Sequence, residues 1–201
     1  SAPRAAPAPA PVHRRAPAPP PRRYTLELSN TLLPATFRKL FGSPREAMMR
    51  WPVRTLDDCC TRVTDGTHLT PKFESSGVPF VFVKNISNGS IDFSTDKFVS
   101  EATFHELTRR CPIEEDDVLY TIVGATYGQA VRVGRITKFT FQRHVAHIKP
   151  DRSIIEPGYL ASIMQLPIVK QQADIWARGA AQPTINLKEL KEFKIPVPPL
   201  L

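Results

Sequence analysis

The sequence predicts an α+β domain, and three observations carry that expectation. Strand-like segments rich in β-branched and aromatic residues crowd the middle of the chain. Helical apolar spacing dominates the last fifty residues, and Gly, Asn and Pro punctuate the chain between these stretches. Strands first and helices last argue against an alternating parallel-sheet protein. For 201 residues one domain is the default expectation, with two small ones possible.

Taken in order, the first 23 residues hold Arg4, Arg14, Arg15, Arg22 and Arg23, no acid, and eight of the 21 prolines. Without large apolar side chains this stretch cannot offset the entropy of ordering, so a disordered tail is expected over residues 1–30. No apolar run follows the positive charges, so the tail is not a secretory signal. In the junction at 31–50, Phe37, Leu40 and Phe41 fall at helical spacing before Gly42 and Pro44. Residues 51–201 form the expected domain.

Within that domain, 78–84 reads as a strand with Pro79 near its start. Asn88-Gly89 centres a hairpin over 86–93. Ser100 caps a helix running to about Arg109, with Glu101 in its first turn. Residues 117–123 are a strand, and 124–128 are a loop bounded by Gly124 and Gly128. Two more strands follow at 130–133 and 139–149, turned at Gly134-Arg135. The helical pattern over 158–176 is kinked or divided at Pro167. Asn186 caps a last short helix, which ends before Pro196.

Composition bounds the function. With 27 Lys+Arg against 19 Asp+Glu the net charge is +8, of which the tail supplies five. The body is therefore nearly neutral, and nucleic-acid binding by it requires a local basic patch. Hydrophobic residues at 41% exclude a mostly disordered chain, and no apolar run approaches membrane-spanning length. Three cysteines cannot build a disulfide scaffold, and an odd count fits a reducing compartment.

Catalytic signatures are weak. Cys59 and Cys60 are adjacent and Cys111 is distant, while His144 and His147 on one expected strand point to opposite faces; this argues against zinc. The 124–128 loop lacks the Lys-Ser/Thr of a phosphate loop and precedes a strand. Pro150-Asp151 with Glu192-Phe193-Lys194 spells a nuclease-like PD…ExK pattern. Its Glu and Lys, however, fall on the terminal helix or its end, far from an adjacent strand. Pro198-Pro199 lacks the flanking residues of a methyltransferase motif.

Binding remains. The loop from Thr64 to Lys72 is rich in short hydrogen-bonding side chains. Lys84 and Asn85 flank the hairpin, Thr126 and Tyr127 occupy the Gly-bounded tip, and Gln142 and Arg143 lie on an expected strand. Asn, Gln and Arg suit base edges, whereas Lys, Thr and Ser suit phosphates. The candidate DNA-binding set is Thr67, His68, Thr70, Lys72, Lys84, Asn85, Thr126, Tyr127, Gln142 and Arg143.

Five stretches then appear in an order that resembles one family. They are Asp65-Gly66-Thr67-His68-Leu69-Thr70-Pro71 with Gly77-Val78-Pro79-Phe80, then Asp117-Val118-Leu119-Tyr120 leading to Gly124 and Gly128. Phe141-Gln142-Arg143-His144-Val145-Ala146 follows, then Asn186-Leu187, then Ile195-Pro196-Val197-Pro198-Pro199-Leu200. Together they resemble a target recognition domain of the specificity subunit of type I restriction–modification systems. The resemblance covers 51–201, and Phe37 to Gly42 with Trp51-Pro52 is similar to the junction after the family's spacer helix.

The resemblance implies a β-rich, double-stranded-helix-like part with a C-terminal helical hairpin. It implies a cytoplasmic, non-catalytic chain that reads one half of a bipartite site in double-stranded DNA. No cofactor is then expected in this chain. S-adenosylmethionine, ATP and Mg²⁺ belong to partner modification and restriction subunits, which methylate adenine and cleave. Three departures stand out: Asp116-Asp117 where the family usually has Gly-Asp, a stop after Leu200-Leu201 where relatives continue into a spacer helix, and one recognition domain where most relatives have two. A truncated or single-domain form is the expectation, completed by a second half-subunit or reduced to a module that docks a protein without reading DNA.

Overall fold

Residues 145–148 are buried without exception, and the fold is organised around them. The computed structural model describes residue 32 and residues 35–87, 89–135, 138–177 and 182–200. The expected tail and Asn88 at the hairpin tip lie outside the described residues.

Two helices, α1 (35–41) and α2 (Pro44–Arg50), open the described chain. A capping box starts α2: the Glu46 amide donates to Ser43 Oγ at 3.2 Å and the Ser43 amide donates to Glu46 Oε2 at 2.5 Å. Then follow β1 (Val53–Thr55), β2 (Cys60–Asp65), β3 (Val78–Val81), β4 (Ile86–Ser87), β5 (Ser90–Ile91) and β6 (Phe98–Val99). After α3 (Glu101–Thr108) come β7 (Val118–Thr121), β8 (Ala130–Arg132), β9 (Thr140–Phe141) and β10 (Val145–Pro150). The chain ends with α4 (Pro157–Ile163), α5 (Pro167–Ala177), α6 (Leu187–Lys191) and β11 (Lys194–Pro196).

The main sheet is antiparallel in the order β2-β10-β7-β8, so β10 is paired along both edges. Side chains alternate between its faces, as the pleat requires. Val118, Tyr120, Ala146 and Ile148 enter a core shared with Leu160, Ile163 and Met164. Leu119, Val131 and Val145 enter a second core with Val81, Phe139 and Phe141. The sheet is thus a middle layer between helices and a second small sheet, β6-β3-β9, in which β3 and β9 run parallel. This is the α+β architecture expected from the sequence.

Several local expectations need correction. The strand at 78–84 ends at Val81, because Asn85 Oδ1 accepts the Phe82 amide at 3.0 Å and curls 83–85 into a 3₁₀ turn. The strand at 139–149 is two strands, broken where the Val145 amide donates to the Gln142 carbonyl. Gln142, Arg143 and His144 therefore sit on a turn, and His144 is not on the strand that carries His147. The pattern over 158–176 is two helices, and Pro167 is the first residue of the second, where its missing N–H leaves no bond unmade. Phe37 packs into the helical-side core, stacked on Tyr159, but Leu40 is exposed.

The sequence reading missed β1, β2 and β11. Of these, β1 pairs antiparallel with β11, placing Val53 opposite Pro196. Flanking bonds extend the closure, from the Leu56 amide to the Phe193 carbonyl and from the Val197 amide to the Pro52 carbonyl. Asp116 has a φ of 75°. Glycine is the residue that adopts this left-handed backbone most readily. Aspartate tolerates the region better than most residues, and its carboxylate lies 3.0 Å from Arg152 and 3.6 Å from Arg132.

Phe193 is 1% exposed and meets Tyr120 edge-on at 6.4 Å, tying the closing segment to the main sheet. Phe193→Ala is expected to destabilise the domain by about 3–5 kcal/mol. In a urea titration it should lower the midpoint while leaving the slope unchanged.

Candidate nucleic-acid interface

Where β2 ends, the chain enters the loop at 66–71, and it lies directly against the turn at 142–144. The Thr67 amide donates to the Phe141 carbonyl at 3.1 Å, the Arg143 amide donates to the Thr67 carbonyl at 3.0 Å, and Thr67 and Gln142 form a parallel bridge. Gly66 makes this approach possible. A Cβ there would lie 2.2 Å from the Phe141 carbonyl oxygen and 2.6 Å from that of Gln142. The loop is braced internally by Thr67 Oγ1 donating to the Leu69 carbonyl and by His68 Nε2 at 2.9 Å from Asp65 Oδ2.

These two segments border a groove of about 240 Å³, lined by Thr67, His68, Thr70, Gln142, Arg143 and an aromatic floor. The floor is Phe73, Phe80 and Phe82, with ring centres 5.0 Å to 6.3 Å apart. Lysines rim it: Lys84 Nζ lies 6.0 Å from the Phe82 ring centre and Lys97 Nζ 5.8 Å from that of Phe73. Lys72 is almost fully exposed, with Glu74 at 3.9 Å, too far and too solvated to neutralise it. Arg143 is exposed and makes no ion pair among the described residues. Partial burial and the Arg143 charge hold the His144 imidazole below its ordinary value, so it is neutral beside that guanidinium at pH 7.

Seven of the ten sequence-predicted residues therefore fall in or beside this region: Thr67, His68, Thr70, Gln142 and Arg143 line the groove, Lys84 stands by the Phe82 ring of its floor, and Lys72 lies in the chain between the lining residues Pro71 and Phe73. Asn85 does not join them. It is 4% exposed, and its amide is engaged with Phe82 and with the Ser94 carbonyl, so it shapes the hairpin and is withdrawn from solvent. Thr126 and Tyr127 belong to another neighbourhood. The Tyr127 hydroxyl donates to Asp174 at 2.6 Å, and Lys170, itself paired with Asp174, lies 3.7 Å over its ring. Gly128, with φ +91°, lets Lys170 come this close. Tyr127 docks the 124–128 tip onto α5, leaving Thr126 exposed at that tip.

Residues 48–201 match the family model described as the type I restriction modification DNA specificity domain. The chain belongs to this family. It is 29% identical over 122 residues to the type I restriction enzyme EcoBI specificity subunit of Escherichia coli, covering 61% of this chain and 25% of that protein. It thus spans about a quarter of that relative's length. Among solved structures it is similar to the HsdS subunit from Thermoanaerobacter tengcongensis, with a TM-score of 0.54 and 16% identity over 89% of this chain and 41% of that one. It is similar as well to a chain in a structure of a type I R-M system, with a TM-score of 0.58 and 18% identity over 89% of this chain and 42% of the other. These structural likenesses bear on the fold.

In this specificity domain the PD…ExK residues are dispersed in function. Asp151 accepts from the Ser153 amide and hydroxyl, Glu192 ends α6, and Lys194 begins β11. Asp151 and Glu192 lie on no strand, and β10, which precedes Asp151, pairs with β2 and β7 whereas β11 pairs with β1.

The sequence reading missed a different cluster. His147 places Nε2 2.6 Å from Asp117 Oδ2 and Nδ1 3.4 Å from Cys111 Sγ. Both ring nitrogens are engaged by protein groups, so this is a relay and not a metal-ligand set. Asp117 also accepts from the Glu114 amide at 2.8 Å and from Lys149 Nζ at 3.0 Å. Burial favours neutral forms throughout, but it is overcome. The His147 hydrogen bond and the Glu114 amide hold the Asp117 carboxyl below its usual range, and Asp117 and Cys111 hold His147 above its own. The Asp117 contribution to stability is complete above the ordinary carboxylate value of 3.8 and is lost as pH falls through the lowered one. The His147 contribution is complete below 6.5 and is lost as pH rises through the raised one. The pair therefore favours the folded state most between those two ordinary values. The signal in the sequence was the two-residue step from Val145 to His147 on a strand otherwise buried.

Gly66→Ala is expected to destabilise the domain by about 1–3 kcal/mol, because backbone carbonyls cannot retreat as a side chain can. Proteolysis or hydrogen exchange should report loosening of 66–71 and 142–144 together.

Proposed function

We propose that this domain reads a short asymmetric stretch of double-stranded DNA as the specificity element of a type I restriction–modification complex. The observation that carries the reading is the backbone-zipped pair of loops, which presents Thr67, His68, Thr70, Gln142 and Arg143 around one groove with lysines at its rim. Membership of the DNA specificity domain family supports it. Arg143 suits the paired acceptors of guanine and Gln142 the donor–acceptor edge of adenine; Lys72 and Lys84 suit phosphates and fix the register. Thr126 is a more distant backbone contact. In this reading the chain performs no chemistry and binds no cofactor. A modification subunit carrying S-adenosylmethionine methylates adenine, and a restriction subunit using ATP and Mg²⁺ cleaves, both in the cytoplasm. Among the described residues no helix is long and apolar enough to cross a membrane.

A second reading, docking of a partner protein without base reading, is favoured by an apolar recess of about 640 Å³. Leu40, Phe41, Trp51, Tyr159, Pro198 and Leu200 line it. The two readings separate in a bind-and-sequence selection on a randomised duplex pool at about 0.2 M salt, where counterion release suppresses binding through the arginine tail. A short enriched motif supports base reading; a folded domain that enriches nothing overturns it.

Two substitutions sort the contacts. Arg143→Ala is expected to weaken the preferred site by about 1–3 kcal/mol and relax preference at one position. Lys72→Ala is expected to weaken all sequences alike and reduce the slope of log affinity against log salt by about one. An unchanged slope removes Lys72 from the phosphate contacts.

A further inference from the structure

The relay found at Cys111 has a chemistry that DNA reading does not use. Cys111 follows the C-terminus of α3 in a turn held by its amide donating to the Thr108 carbonyl. That turn lays the thiol against β10, with Sγ 3.4 Å from His147 Nδ1 and Asp117 on the far ring nitrogen at 2.6 Å. The three residues form a thiol–imidazole–carboxylate line, assembled from positions 36 and 30 residues apart. His147 is 2% exposed and locked by both partners, whereas Cys111 is only half-buried.

Cys111 and His147 line a cavity of about 490 Å³. Its wall includes three guanidinium-bearing residues, Arg62, Arg109 and Arg110, and two acids, Glu106 and Asp65. One of those acids is engaged with His68. Arg62 is aimed across the cavity, donating to the Arg110 carbonyl at 2.8 Å. The space is large enough for a small peptide-like ligand, and its charge favours carboxylates.

The other two cysteines make a contrast. Burial pushes the Cys59 thiol up to about 11, and burial with neighbouring negative charge pushes Cys60 up further. At Cys111 burial also acts upward, but the His147 hydrogen bond and the charges of His147, Lys149 and Arg62 outweigh it and hold the thiol below its ordinary value. The other charged groups around the relay are Glu114, bound with Asp117 by Lys149, and Asp65, Glu106, Arg109 and Arg110 on the cavity wall.

We propose that Cys111 is a covalent modification site for small anionic disulfides, which enter the arginine-walled cavity and are attacked by the sulfur paired with His147 and Asp117. A bond forms between Cys111 Sγ and one sulfur of the disulfide as the disulfide's own S–S bond breaks. The second sulfur leaves as a thiolate and takes a proton from solvent. Cys111 is oxidised and the leaving half is reduced, so no further oxidant enters, and His147 stays charged opposite Asp117.

The test uses the full chain with oxidised glutathione as the probe, read by intact mass and peptide mapping. The expected result is one adduct, on Cys111, with Cys59 and Cys60 unmodified; a first adduct on either of those, or none, overturns the proposal. The rate of alkylation of Cys111 by neutral iodoacetamide is expected to fall less steeply between pH 9 and pH 7 than that of a short peptide thiol measured alongside. An equal or steeper fall overturns the activated sulfur. His147→Gln, checked for folding by circular dichroism, is expected to restore the steeper profile of the peptide thiol, and an unchanged profile removes His147 from the activation. If that variant does not fold, the pH profile of the native chain decides. Arg109→Ala with Arg110→Ala is expected to slow the glutathione reaction severalfold and leave iodoacetamide unchanged. Equal effects on both reagents overturn the anion selectivity.

Discussion

Strand β10 is hydrogen-bonded along both edges and covered on both faces, and the rest of the molecule is arranged to satisfy it. A strand in that position must present apolar side chains up and down, and Val145, Ala146 and Ile148 do. It also fixes what precedes and follows. The turn at 142–144 is held where β10 begins, so the groove residues are anchored to a strand paired along both edges. The loop at 66–71 is tied to the same turn by its backbone bonds. The groove side chains on loops are thereby kept in register without regular structure of their own.

His147 is the exception in that strand, and it explains the charge network beneath it. A buried imidazole is tolerated only when both nitrogens find partners, and a buried carboxylate only when its lone pairs are filled. Asp117 and Cys111 supply the first condition; the Glu114 amide, Lys149 and His147 supply the second. Removing one member strands a charge in low dielectric, whereas replacing the whole set with apolar residues would not. The network therefore ties the end of α3 to β10 with a directionality that apolar packing lacks.

What was legible in the sequence was local. Ser100 and Asn186 announce their helices because a cap acts within three residues, and Gly89 marks the hairpin because its φ is +71°. Pro167 divides the two helices for an equally short-range reason. The pairing of β1 with β11 was not legible, since it joins three-residue segments about 140 positions apart and neither shows alternation. The 142–144 turn hid within a run of strand-like residues that only tertiary pairing interrupts. Of the candidate site, the loop residues Thr67, His68, Thr70, Gln142 and Arg143 were legible only by type, and the fold brings them to one groove. That Asn85 and Tyr127 are engaged within the domain was not legible, because their partners, the Phe82 amide and Asp174, are set by the fold. The Cys111 relay escaped because its members approach only once β7, β10 and the end of α3 are assembled.

The pairing of Val53 with Pro196 has an evolutionary consequence. A unit whose incoming and outgoing segments are adjacent strands adds almost no displacement between the pieces of polypeptide that flank it. Recombination at that one seam exchanges everything between them, grooves and loops included, while the distance and direction across the seam stay as they were. A new set of loops and grooves could then be accommodated whole, without redesign of whatever lies on either side.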